Sequence, residues 1–258
     1  MDIGLKGKWA VVCGASKGLG FGCAQSLAEE GVNLVINART AQSLDEAARQ
    51  LTSQHGVQVI AVAGDVTDPG LQQQLIDSAP QVDILVTNAG GPPPGHFSKF
   101  GRDDWIKALQ QNMLAPLELI KLCIDGMVER RFGRIVNITS KSVKMPVDNL
   151  ILSNGARAGL TGAVATLARE VAKYNVTINN LLPGKFDTDR LRSNLVKRHG
   201  NDKPIDDLLK MAASDVPAGR LGIPSEFGHA CAFLCSAYAG YITGHNLLID
   251  GGEYPGTL

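Results

Sequence analysis

The plainest chemistry in this chain lies in a glycine-rich turn near its start. Gly14-Ala15-Ser16-Lys17-Gly18-Leu19-Gly20 follows the apolar run Trp9–Cys13 and leads into an amphipathic segment. Between a strand and a helix, Gly14 permits the tight turn and Gly18 lets the backbone approach a pyrophosphate. Gly20 lets the helix pack against the strand. The unpaired amides and partial positive charge at the helix N-terminus then favour phosphate. A glycine pattern by itself is weak; its placement makes it specific. The next apolar run ends in Asn37-Ala38-Arg39, with no acid to accept hydrogen bonds from an adenosine ribose. Arg39, with Lys17, suits a ribose 2′-phosphate instead, so NADP(H) is preferred over NAD(H). The alternative for Arg39 is a solvated surface arginine.

These residues need a scaffold, and the rest of the chain supplies one. Short aliphatic runs at 9–13, 33–37, 57–62, 83–87, 134–139, 177–182 and 246–249 alternate with helical patterns, among them 18–30, 44–55, 103–131, 152–174 and 225–236. Continuous apolar strands separated by helices predict a parallel sheet covered on both faces. The fold class is therefore α/β, a Rossmann-type doubly wound sheet of about seven strands. There is no repeat or linker, which predicts a single domain over 1–258. Residues 185–220 break the rhythm: polar, charged, weakly periodic and beyond a strand's C-terminal end. They read as a substrate lid, as a surface excursion with two short helices, or as both.

Composition excludes several function classes. Lys+Arg and Asp+Glu balance at 25 each, which removes the electrostatic case for nucleic acid or an anionic membrane. No stretch is long and apolar enough to span a bilayer and no signal peptide opens the chain, so a cytoplasmic protein is expected. The five cysteines are scattered with no metal-ligand spacing, so no metal is expected and buried thiols are.

Further motifs resemble the short-chain dehydrogenase/reductase family, in its 3-oxoacyl-carrier-protein reductase-like branch, along essentially the whole sequence. The glycine turn matches the family's. Asp65-Val66 resembles the pair beside adenine, and Thr87-Asn88-Ala89-Gly90 resembles the Asn-Asn-Ala-Gly that supports the central strand beside the cofactor. Asn112 falls where the family keeps an active-site asparagine. Pro183-Gly184, with Thr188, matches the segment that contacts the nicotinamide carboxamide. Tyr241-Ile242-Thr243-Gly244 and Asp250-Gly251-Gly252 match the C-terminal signature. The resemblance implies a small-molecule substrate and a homotetramer or homodimer, pairing the helices at 103–131 and 152–174. Leu109, Leu117, Ile120, Leu160, Val164 and Leu167 offer apolar faces for this, although burial against the sheet explains many of them equally well.

The catalytic positions depart from the family. Ser140 resembles the catalytic serine, but the tyrosine and lysine positions hold Ser153 and Arg157, in a segment that otherwise keeps the pattern. A serine hydroxyl is a far weaker acid than a phenol, and losing a positioned general acid costs about 10²–10⁴ in rate. Arg157 shares a helix face with Ser153; the resemblance implies it can keep the lysine's hold on the nicotinamide ribose. It stays charged and cannot relay a proton. Lys141, Ser142 and Lys144 follow Ser140 on the loop that should border the nicotinamide, and His96 lies at the same end of the sheet. Each reads either as an exposed surface residue or as a replacement donor, with Lys144 the first choice. The favoured function is an NADP(H)-dependent oxidoreductase with an atypical proton donor, acting on a small-molecule or acyl carbonyl or alcohol, or on a conjugated double bond. The alternative is a catalytically impaired NADP(H)-binding interaction module.

Overall fold

The computed structural model describes residues 2–200 and 203–257. A parallel sheet of seven strands, in the order β3-β2-β1-β4-β5-β6-β7, forms its centre. The strands are β1 (Trp9–Cys13), β2 (Asn33–Ala38), β3 (Val59–Ala63), β4 (Ile84–Thr87), β5 (Gly133–Ile138), β6 (Val176–Pro183) and β7 (Asn246–Ile249). All seven expected strands are present, with ends displaced by one or two residues. The chain order reverses between β1 and β4, which opens a crevice at their C-terminal ends.

Helices cover both faces. On one lie α1 (Gly18–Glu29), α2 (Ala41–His55) and α9 (Pro224–Cys235), joined through Leu27, Leu44 and Phe227 in one core. On the other lie α3 (Pro69–Asp77), α5 (Ala115–Glu129) and α6 (Ile151–Val171), joined through Leu75, Leu119 and Leu160. Alternation along β1 divides it between the two: Val12 faces the first core and Val11 the second. The first face closes tightly because α1 and α9 meet at glycines. A Cβ on Gly228 would run into the Gly22 carbonyl oxygen. Helices α4 (Arg102–Leu109), α7 (Asp189–His199) and α8 (Ile205–Ser214) complete the set.

Three differences from the sequence expectation have local causes. Helix α3 is capped by Asp68, whose Oδ1 accepts from the amides of Gly70 and Leu71 at 2.7 and 3.2 Å, with Pro69 at the first helical position. That capping signature is present in the sequence. The helix expected over 103–131 is broken by a π turn at Gln110–Leu114. Pro116 has no N–H to offer the carbonyl of Asn112, four residues back, and the Ala115 amide reaches to Gln110 instead. Ile120, Leu160 and Val164 lie in the core under the sheet rather than on an outer face, whereas Ile106, Leu114 and Leu122 are exposed. All five cysteines are buried and free. No helix among the described residues is long and apolar enough to cross a membrane, and no metal-ligating cluster occurs among them.

A run of buried side chains ties four strands at one level. Thr87 Oγ1 donates to Asn137 Oδ1 at 2.7 Å, and Asn137 Nδ2 donates to Asn180 Oδ1 at 3.1 Å. Asn180 Nδ2 then donates to Asn246 Oδ1 at 2.8 Å. Each pair is also a register pair of the sheet. On the far side of the sheet, Asn37 Nδ2 donates to the carbonyls of Val62 and Gly64. Removing a buried partner leaves the others desolvated and unpaired, at about 1–3 kcal/mol per group. Asn137→Ala strands both Thr87 and Asn180, so a loss of about 3 kcal/mol and a fall in Tm of roughly 10 °C are expected. Asn246→Ala, at the partly exposed end, is expected to cost less than half as much. Equal Tm values for the two variants by scanning calorimetry would refute the ladder's role.

Candidate active site

The strand ends at the β1–β4 crevice border a cleft of about 810 Å³. Gly14, Ser16, Lys17, Gly18 and Leu19 form its floor. Gly14 and Gly18 both have left-handed backbone, with φ of 61°. Gly20 lies beneath: a Cβ there would strike the Gly14 carbonyl oxygen, so only glycine lets α1 start this close to β1. Lys17 stands at the N-cap of α1 and supplies no side-chain cap, which leaves the first-turn amides facing the cleft. A Cβ on Gly14 would also lie 2.6 Å from Asn88 Nδ2, so the turn and the end of β4 are fitted to each other.

One end of the cleft is walled by Arg39, Asp65 and Val66. Arg39 is exposed at the end of β2, and the neighbouring hydroxyls of Thr40 and Ser43 at the start of α2 line the same wall. Asp65 Oδ1 accepts from the Thr67 amide at 3.0 Å and the Thr67 hydroxyl at 2.9 Å. These bonds, foremost the amide, hold its carboxyl below the ordinary range, with smaller help from Arg39 and Lys107. At the other end lie Asn88, Ala89, Gly90, Gln111, Thr188 and Arg190. Thr188 Oγ1 accepts from the Leu191 amide at 3.3 Å and so caps α7. The clamp expected from Lys17 is drawn differently. Its Nζ pairs with Asp189 Oδ2 at 2.8 Å, both side chains being more than two-thirds exposed. Such a pair is weak and screened.

The remaining expected site residues do not line this cleft; they gather beside it at the ends of β5 and β6. Ser140 follows β5 and its Oγ accepts from the Ser142 amide at 3.1 Å. Asn112 is buried in the π turn, its Nδ2 donating to the Ala108 carbonyl at 3.4 Å and its Oδ1 without a protein partner. That turn packs on α6, where a Cβ on Gly159 would lie 2.8 Å from Met113 Sδ. Ser153 and Arg157 are buried on α6. Arg157 Nε donates to Ser153 Oγ at 3.2 Å and Nη1 to the Ile138 carbonyl at 2.8 Å. Burial, then the like charge of Arg190, pushes Arg157 down to about 10, so it remains a cation at neutral pH. Pro183 ends β6 opposite Ile249. Gly184 is required by packing, because a Cβ there would lie 2.6 Å from the Asp250 backbone.

Lys141 and Lys144 part company. Lys141 Nζ pairs with Glu253, which also lies 3.7 Å from Lys185 Nζ, and Lys185 pairs with Asp215 at 2.9 Å. One ion network thus joins the Ser140 loop, segment 185–220 and the C-terminal tail. Lys144 instead lies 5.9 Å from the Tyr254 ring. His96 is exposed. Sequence reasoning missed Asn37, Thr40, Ser43, Gln111 and Arg190 in the cleft wall. Thr40 and Ser43 carried a readable signal as hydroxyls at a helix start beside Arg39; Arg190 carried none.

The cleft has the length and the glycine cradle that a dinucleotide requires, so the residues fit such a group. Residues 14–253 match the family described as enoyl-(acyl carrier protein) reductase. The chain is 35% identical over 257 residues to the 3-oxoacyl-[acyl-carrier-protein] reductase of Vibrio cholerae, covering 98% of this chain and 99% of that one. It is 32% identical to the NADPH-dependent reductase BacG of Bacillus subtilis, over 95% and 96% of the two chains. The structure of L-sorbose reductase from Gluconobacter frateurii, complexed with NADPH and L-sorbose, superposes with a TM-score of 0.92 at 32% identity, covering 99% and 100% of the chains. With its seven-stranded parallel sheet and these relatives, the chain belongs to the short-chain dehydrogenase/reductase family and is an enzyme of that type.

Proposed function

We propose that the protein is an NADP(H)-dependent oxidoreductase acting on a small-molecule or acyl carbonyl, or the corresponding alcohol, without the family's phenolic proton donor. One observation carries the reading: a single cleft joins an uncapped helix N-terminus at Gly18 to an arginine, rather than an acid, at the end of β2. The first-turn amides of α1 hold the pyrophosphate. Arg39, with the Thr40 and Ser43 hydroxyls, holds the 2′-phosphate, and the exposed Lys17 leaves Asp189 readily for a more highly charged anion. Asp65 and Val66 border the adenine, and Asn88, Ala89, Gly90 and Thr188 border the nicotinamide half. NADPH-dependent relatives support this assignment.

When bound, the cofactor supplies or accepts the hydride. The chain's own residues do the rest. Ser140 holds the substrate oxygen, because its Oγ accepts from the Ser142 amide and leaves the O–H free to donate, while Asn112 Oδ1, an acceptor without a protein partner, takes a substrate hydroxyl. Ser153 is fixed by Arg157, and Arg157, a cation at working pH, stabilises negative charge at that oxygen but does not release its proton. The proton comes from Lys144, since Lys141 is held by Glu253. Residues 185–220 form the lid over the substrate end, and exposed Ile106, Leu114 and Leu122 mark a homo-oligomer contact. The impaired-module reading is not favoured, because the named relatives are reductases along their full length.

Fluorescence titration tests the cofactor half: NADPH is expected to bind at least about tenfold tighter than NADH, and Arg39→Asp to reverse the order. Equal affinities in the unaltered protein would end the assignment of Arg39. On a ketone that the protein reduces, Lys144→Ala should cost about 10²-fold in kcat. An unchanged kcat would move the proton source elsewhere. The pair Ser153→Tyr and Arg157→Lys, checked for folding by circular dichroism, should raise ketone reduction by about 10²-fold. No gain in a folded double variant would mean that proton delivery is not what limits the native site.

A further inference from the structure

Arg190 is a cation in an unpromising place. It stands in the first turn of α7, where the helix dipole opposes positive charge, and it lines the cleft beside Thr188 and Asp189. Among the described residues its guanidinium donates no hydrogen bond and makes no ion pair. The nearest acids in sequence are engaged elsewhere. Asp187 accepts from Arg192 Nε and Nη2 at 2.7 and 2.8 Å, and Asp189 pairs with Lys17. Holding a long side chain in one place costs rotamer entropy, and no polar contact within the protein offsets it here.

The two ends of this side chain lie on opposite sides of the β1–β4 crevice. Its root is tied to the glycine turn after β1. A Cβ on Gly18 would lie 3.6 Å from Thr188 Cγ2, and Asp189 reaches Lys17. Its tip lies over the segment after β4. A Cβ built on Gly91 would lie 2.5 Å from Arg190 Nη2 and 3.3 Å from Nη1, so glycine at 91 keeps open the space that the guanidinium fills. Gly91 does not have the left-handed backbone that would itself call for glycine. The three atoms a side chain there would meet first all belong to Arg190. Arg190 therefore bridges the crevice, from the turn whose amides face the cleft to the end of the neighbouring strand.

A planar fork of donors laid across a cleft, with no acceptor of its own, suits anionic oxygens. We infer that Arg190 is a strap over the cofactor, donating to the nicotinamide-side phosphate of the pyrophosphate from the β4 side while the α1 amides hold it from the β1 side. The inference rests on the cofactor reading above, which puts the pyrophosphate at Gly18. That phosphate is the fitting anion because the root of the strap touches the same turn, whereas the 2′-phosphate goes to Arg39 at the other end of the cleft. Arg190 also belongs to the segment 185–220, so the contact fastens that segment to an occupied cofactor site. A substrate anion is the competing partner, and the test separates the two.

Isothermal titration of the full-length protein with NADP⁺, 2′-phospho-ADP-ribose and adenosine 2′,5′-bisphosphate decides the matter. The first two carry the whole pyrophosphate, and the third stops at the adenosine 5′-phosphate. Arg190→Met is expected to weaken the first two by about 10- to 100-fold and the third by less than about threefold. Gly91→Ala, which pushes the guanidinium aside, should also weaken NADP⁺, yet add no further loss in the Arg190→Met background. An NADP⁺ affinity unchanged by Arg190→Met leaves Arg190 to a substrate anion and overturns the inference. A loss for NADP⁺ without one for 2′-phospho-ADP-ribose overturns it too, because the contact is then to the nicotinamide. So does an equal loss for all three, which places the effect away from the second phosphate. Should the unaltered protein bind none of the three, the cofactor reading itself fails and the strap falls with it.

Discussion

Strand register is the constraint on which this molecule depends. A parallel sheet delivers every strand's C-terminal end to one edge, but the height of each end is set by how the strands slide past one another. Here the hydrogen-bonded run from Thr87 through Asn137 and Asn180 to Asn246 pins four strands at a single level. Asn88, Ser140, Pro183 and Asp250 each leave the sheet within a few residues of a rung. Asn37 sets the end of β2 against β3 in the same way, pairing Ala38 with Ala63 just before Arg39 and Asp65 leave the sheet. Buried amides are expensive when unpaired, which makes any other register a state with several stranded polar groups. The price of polar residues in an apolar sheet is thus returned as geometric precision at its upper edge.

On that edge the charges are sorted. Lys141, Glu253, Lys185 and Asp215 neutralise one another and tie together the loop after β5, the segment after β6 and the tail after β7. Asp250 prepares this tail by accepting from the amides of Gly252 and Tyr254, at 3.0 and 2.8 Å. Arg157 and Arg190 are left out of that neutralisation. Their isolation is built by the surrounding structure, since Asp187 and Asp189 are each engaged by a nearer cation.

Much of the fold was legible in the residues because its signals are local. Seven apolar runs bounded by turns, and a glycine turn between a strand and a helix, require no knowledge of distant contacts. Where the reading slipped, the cause was also local but less familiar. Asp68-Pro69 announces α3, and Pro116 announces the break that carries Asn112 out of a regular helix. The apolar residues Ile120, Leu160 and Val164 fitted both an outer face and the core, and periodicity alone does not choose between those.

The chain's sequence alone determined the fold class, the glycine turn between the first strand and the first helix, the arginine at the end of the second strand and the serine and arginine at 153 and 157. Each of these is a matter of residue type at a fixed spacing, which linear order preserves. Only the tertiary structure decided which charges meet. Lys17 and Asp189 lie 172 positions apart, and Lys141 reaches Glu253 from another strand end. Arg190, on α7, reaches over Gly91 beyond the end of β4. Coulomb energy depends on separation in space and on burial, and neither quantity is written in the order of the residues.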